Sequence, residues 1–233
     1  MIQTVILFAV AALPAIAAIT LHEAAHGYAA LALGDDTARR AGRLSLNPLR
    51  HVDRVGTLML PGFLLLVQAL TIHRIAFMFG WAKPVPVSPW RFRRPRQGMA
   101  LVAAAGPAMN FFLAWLGALA GHAIEGLPGL IGDVLDQMLD LFILSNLVLG
   151  LFNLLPVPPL DGGRIVVGLL PEPLALAWAR LERAGIVIVI LLVFLMPRLL
   201  AEFHIRWDPV GHGLAYVLPW ARHVVLRAAG WDD

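Results

Sequence analysis

His22 and His26 stand four residues apart, with Glu23 next to the first, in the run His22-Glu23-Ala24-Ala25-His26. On a helix, residues four apart share a face, so both imidazoles can reach one zinc ion. Glu23 lies about 100° further round the axis, within reach of a water held by that ion. Zinc lowers the pKa of such a water toward 7, and a carboxylate can take its proton as attack on a carbonyl begins. The alternative is a pair of structural histidines. It would place two imidazoles and a carboxylate beside the charge-free run 2–21 for no purpose, at a cost of several kcal/mol at membrane depth.

A catalytic zinc usually takes three protein ligands and leaves one position for water. The chain has no cysteine, so the third ligand must be His, Asp or Glu. Asp161 is the candidate, because it ends the apolar run 141–160 in Asn153-Leu154-Leu155-Pro156-Val157-Pro158-Pro159-Leu160-Asp161-Gly162-Gly163-Arg164. Three prolines must interrupt a helix there, and unwound backbone lets an acid turn inward. By itself Asp161-Gly162 would read as a turn. Beside the histidine pair it reads as a ligand, which gives one zinc ion per chain on His22, His26 and Asp161. His51 and Asp53 sit in an arginine-rich loop, where a solvated face or structural hydrogen bonds are expected rather than metal binding. Asn146 and Asn153 share a helical face and either line a wet cavity or join helices.

The elements that must position these groups are membrane helices. Of 233 residues, 59% are apolar and 14% charged, and the mean hydropathy is +0.77; soluble domains carry about 25% charged residues. Runs 2–21, 55–73, 98–120 and 141–160 contain no Asp, Glu, Lys or Arg, each close to the ~20 residues of a bilayer-crossing helix. Residues 2–33 read as one helix roughly 48 Å long, stopped by Gly34-Asp35-Asp36. A pI near 10.2 comes from bases beside apolar runs, with no nucleic-acid-reading motif, so no nucleic-acid partner is expected.

Loop 34–54 holds five arginines against three acids, 74–97 six bases and no acid, and 121–137 three acids and no base. The positive-inside rule places the first two in the cytoplasm and the third outside. Run 55–73 then joins two loops on one side, which a re-entrant hairpin resolves; a plain crossing is the alternative. Prolines at 84, 86 and 89 favour extended chain, so a small interfacial β-like element is expected over 76–90. Residues 184–201 make a further helix, and the tail 205–233 either lies on the surface or crosses last. The expected fold is an all-α polytopic membrane protein, one integral domain over 1–233, with about five or six membrane segments.

Three stretches together resemble the site-2 protease family of intramembrane zinc metalloproteases, in its compact bacterial form. They are 22–26, Ala105-Gly106-Pro107-Ala108-Met109-Asn110, and 153–164, within a resemblance covering about 20–170; 47–53 and 80–87 are also similar. Arg54 stands where similar proteins have proline. The resemblance implies His22, His26 and Asp161 as zinc ligands and Glu23 as general base. It also implies that Asn153 and Asn110 hydrogen-bond the substrate backbone or the developing oxyanion. The implied partners are the lipid bilayer and transmembrane segments of other proteins; oligomeric state is left open. The implied location is the bacterial inner membrane, with the site nearer the cytoplasmic face. Two rivals remain: a membrane metal carrier, which would not need Glu23 as a base, and a catalytically silent relative that only binds membrane helices.

Overall fold

The first long helix, α1, spans Ile2–Ala32, close to the expected 2–33, and carries Pro14 inside it. It stops where Gly34 takes φ 98°, a left-handed conformation that costs glycine little, and the Asp35 N–H closes back onto the Ala30 carbonyl at 2.9 Å. The structure, a computed structural model, describes residues 2–59, 62–63, 66–67, 70, 82–205 and 207–231. After a single turn, α2 (Thr37–Arg40), the chain runs through a 3₁₀ turn at Pro48–Arg50 and a π turn at Arg54–Met59. Of the expected hairpin over 55–73, residues 60–61, 64–65, 68–69 and 71–73 lie outside the described residues, as does 76–81 of the expected β-like element.

Helix α3 spans Pro95–Ile124, with proline in its first turn, where a missing N–H is harmless. Helix α4 spans Gly129–Asn153. The loop expected over 121–137 is therefore shorter, because exposed Asp133, Asp136 and Asp140 are carried on the first turns of α4. α1, α3 and α4 pack on one another. Small residues allow it: a methyl added at Gly117 would lie 3.0 Å from Phe142 Cδ1, and one at Gly150 would lie 3.3 Å from Asn110 Cβ. Without a hydrophobic driving force between lipid-embedded helices, such close backbone approach supplies the dispersion contacts.

Prolines 156, 158 and 159 break the chain after α4, and α5 (Asp161–Leu169) begins at the acid itself. α5 lies on the start of α3, where the Arg96 guanidinium donates to the carbonyls of Val167 and Leu170. A longer helical run, α6 (Glu172–Glu202), follows, interrupted by a 3₁₀ turn at Leu181–Ala184 and a π turn at Leu191–Leu195. It starts before the expected 184–201, and Pro197 falls in the first turn of its last piece, where proline is tolerated.

The tail forms α7 (Pro209–Ala228), docked on α3 and α4 through Ala221, Val225 and Ala229 against Ala114, Ala118, Ile143 and Leu147. Trp231 Nε1 donates to the Ala118 carbonyl at 2.8 Å, and Arg222 pairs with Asp140 at 2.6 Å.

Among the described residues the secondary structure is helical, with no β-strand, and residues 82–88 form neither helix nor strand. Three helices there are long and apolar enough to cross a membrane: α3, α4 and α6.

Candidate metal centre

Two turns of α1 face α3 and the start of α5, and the side chains there converge. His22 Nε2 lies 3.1 Å from His26 Nε2 and 3.1 Å from Asp161 Oδ2, and His26 Nε2 lies 3.3 Å from the same oxygen. Among the described residues this is the one gathering of three such donors with metal-site spacing. Tetrahedral zinc with bonds near 2.0–2.1 Å separates its ligand atoms by about 3.3 Å, so the triangle has the size one zinc ion requires.

The other ring nitrogens fix the electronics. His22 Nδ1 lies 2.6 Å from Asn110 Oδ1 and His26 Nδ1 lies 2.7 Å from the Val102 carbonyl, both of them acceptors. Each Nδ1 therefore carries a proton, which leaves Nε2 of each ring as the atom that faces the centre. Asp161 Oδ2 is buried with no hydrogen-bond donor. Three lone pairs facing one another inside a protein repel unless a cation sits among them. The donor set, two imidazoles and a carboxylate, suits zinc.

Local sequence explains the convergence. A methyl at Gly106 would lie 2.5 Å from His26 Cε1 and 2.6 Å from His22 Nε2, so only glycine lets α3 come this close. Gly162 and Gly163, directly after Asp161, sit against the backbone of 154–158 and let the start of α5 tuck beneath the end of α4.

Asn110 is fully buried behind His22 rather than open to a substrate. Its Oδ1 faces His22, and its Nδ2 donates to Asn146 Oδ1 at 2.9 Å and toward the Ala18 carbonyl at 3.4 Å. Asn146, equally buried, donates in turn to the Phe142 carbonyl at 2.8 Å, so of its two expected uses it joins helices. Asn153 ends α4 and donates to the Leu149 carbonyl of its own helix at 3.0 Å.

Glu23, half-buried, accepts the N–H of Val85 on Oε2 at 3.1 Å. Of the two expectations for His51 and Asp53, a solvated face or structural hydrogen bonds, the structure shows hydrogen bonds. The His51 ring pairs with the Ser45 carbonyl at 2.7 Å, and Asp53 caps the N–H groups of Val55 and Gly56.

Sequence reasoning passed over Asp35, which is fully buried just beyond α1. Burial pushes its carboxyl up, but donors from Thr37 and Ser88, with Arg91 nearby, outweigh this and hold it below the ordinary carboxylate range. Its only sequence signal is the Gly-Asp that ends the helix.

The model of peptidase family M50 matches residues 130–196, a stretch that includes Asp161 but not the histidine pair. A protein of Bacillus subtilis strain 168, described as "Putative zinc metalloprotease YwhC", is 41% identical over 187 residues, covering 78% of this chain and 78% of its own. No solved structure matches the chain. With identity of that degree running through most of both chains, the protein belongs to peptidase family M50, the site-2 protease family of zinc metalloproteases.

Proposed function

We propose that this metalloprotease is an intramembrane endopeptidase that hydrolyses peptide bonds within transmembrane segments of other membrane proteins. His22, His26 and Asp161 hold one zinc ion per chain, and Glu23 is the general base. The observation that carries this is the triangle of 3.1–3.3 Å between Nε2, Nε2 and Oδ2, with both Nδ1 atoms already committed elsewhere. Zinc bound there would polarise the scissile carbonyl and acidify water. Glu23 accepts the proton of the attacking water on its carboxylate and returns it to the departing amine. Asn110 serves the reaction through His22, whose tautomer it sets, and Asn153, at the end of α4, is the remaining candidate for contact with the substrate backbone.

Depth supports the membrane reading. The imidazoles meet α3 at Val102 and Gly106, up to eleven residues or roughly 16 Å along the helix from Pro95. With the base-rich loop 74–97 in the cytoplasm, the centre lies within the bilayer of the bacterial inner membrane and nearer its cytoplasmic face. A substrate helix must open before its carbonyls can reach such a site, and irregular backbone beside the centre can pair with the freed groups.

Co-expression with a panel of single-span membrane proteins tests the reading. Wild type should cleave at least one of them and Glu23→Gln none at a comparable rate. Zinc bound without any cleavage by wild type would favour a carrier or a silent helix binder.

A further inference from the structure

Residues 82–88 lie beside α1 as an irregular strap whose donors are placed at three points. The Lys83 N–H donates to the His51 carbonyl at 2.8 Å, the Val85 N–H to Glu23 at 3.1 Å and the Ser88 N–H to Asp35 Oδ2 at 2.6 Å. Pro84 and Pro86 remove two intervening donors, so the strap has few other ways to be held from the backbone. Arg43 adds one more tie, donating to the Lys83 carbonyl at 2.8 Å.

Asp35 is the most deeply set of these anchors. Its Oδ1 takes the N–H of Thr37 at 3.0 Å and the Thr37 hydroxyl, its Oδ2 takes Ser88, and Arg91 Nε stands 3.8 Å away while its guanidinium also pairs with Asp36. A carboxylate with no exposure persists only when its lone pairs are filled in this way. What it fills them with is the far end of the strap, three residues from the N–H that meets Glu23.

We propose that Asp35 is a positioning residue for the general base: through Ser88 it fixes the strap, and through the Val85 N–H the strap fixes one oxygen of Glu23, leaving the other for proton transfer. This rests on the reading of Glu23 as general base. A glutamate has several rotatable bonds and would otherwise sample many rotamers, and a pinned carboxylate is oriented before substrate arrives.

The test uses the full-length purified protein with a transmembrane substrate, comparing Asp35→Asn, Ser88→Pro and Glu23→Gln. It reads zinc content, kcat and KM, together with hydrogen exchange of the Val85 amide. Asp35→Asn should keep its zinc, lower kcat at least ~10-fold with little change in KM, and speed exchange at Val85. In the Glu23→Gln background the same substitution should cost no further turnover, because the strap acts through Glu23. Wild-type kcat in zinc-loaded Asp35→Asn overturns the inference, as does an equal loss in both backgrounds. Where Asp35→Asn fails to fold, Ser88→Pro deletes the N–H that Asp35 accepts, and wild-type kcat there overturns it instead. Glu23→Gln cleaving at the wild-type rate removes the general-base reading itself; an inactive Glu23→Gln beside a fully active Asp35→Asn removes only the role of Asp35.

Discussion

His22 backs onto two carboxamides, Asn110 and Asn146, that are fully buried between helices and bonded to each other, whereas Glu23, the next residue, meets a backbone N–H of an irregular strap. The half proposed to hold metal is thus built from side chains on α1, α3, α4 and α5, wedged by glycines at 106, 150 and 162. The half around Glu23, the proposed base, is built from loop backbone tied down by Asp35, Arg43 and Arg91. Helix-to-helix contacts of this closeness move little, while a strap held by a few hydrogen bonds opens at lower cost. In the proposed reading, the ligand side is therefore held by close helix packing and the base side by a few hydrogen bonds of the strap.

The largest expected effects separate the two halves outright. His26→Ala should lose zinc and turnover together, whereas Glu23→Gln should retain zinc while cleavage falls by ~10² or more. Metal analysis and turnover on the same preparations check this, and loss of zinc from Glu23→Gln would make the glutamate part of the metal half.

Gly106→Ala comes next, since its methyl would press on both imidazoles and α3 must shift to admit it. We expect zinc affinity to fall ~10–100-fold, the range seen when the support of a metal ligand is disturbed. Competition with a zinc chelator measures it, and unchanged affinity would show the metal half to be softer than described.

Asn110 and Asn146 grade the support behind His22. Asn110→Ala strips the acceptor from His22 Nδ1 and should weaken zinc binding ~10-fold or more. Asn146→Ala leaves the Asn110 amide short of one acceptor, at a cost of about 1–3 kcal/mol in stability, with a smaller change in affinity. Thermal unfolding beside zinc titration tests the order; a larger affinity loss from Asn146→Ala would reverse the roles.

The smallest effect is one of pH. Asp35 has a folded pKa below its unfolded value of about 3.9, so its contribution to stability is present above about pH 4 and lost as pH falls through the lower folded value. Asp35→Asn should flatten the acid side of the stability profile below about pH 4. An unchanged profile would mean that the buried carboxyl is not ionised in the folded protein.

The sequence by itself determined the helix over Ile2–Ala32, the shared face of His22 and His26, and the proline break that frees Asp161. These follow from short-range rules: a 3.6-residue period, the missing N–H of proline, and the cost of charge among apolar residues. The strand-like reading of the proline-rich segment used the same rules and met their limit. Proline excludes helix, but a strand also needs a partner edge, and 82–88 is tied instead to side chains of α1 and its exit loop. Tertiary structure alone decided that Asn110 turns toward His22 and not toward a cavity, that Asp35 is buried rather than solvated, and that the tail docks on α3 and α4. Those outcomes depend on how elements 53 to 113 residues apart in the chain are placed and rotated against one another. That rotation is set by summed packing of small residues, and no local pattern in the chain encodes it.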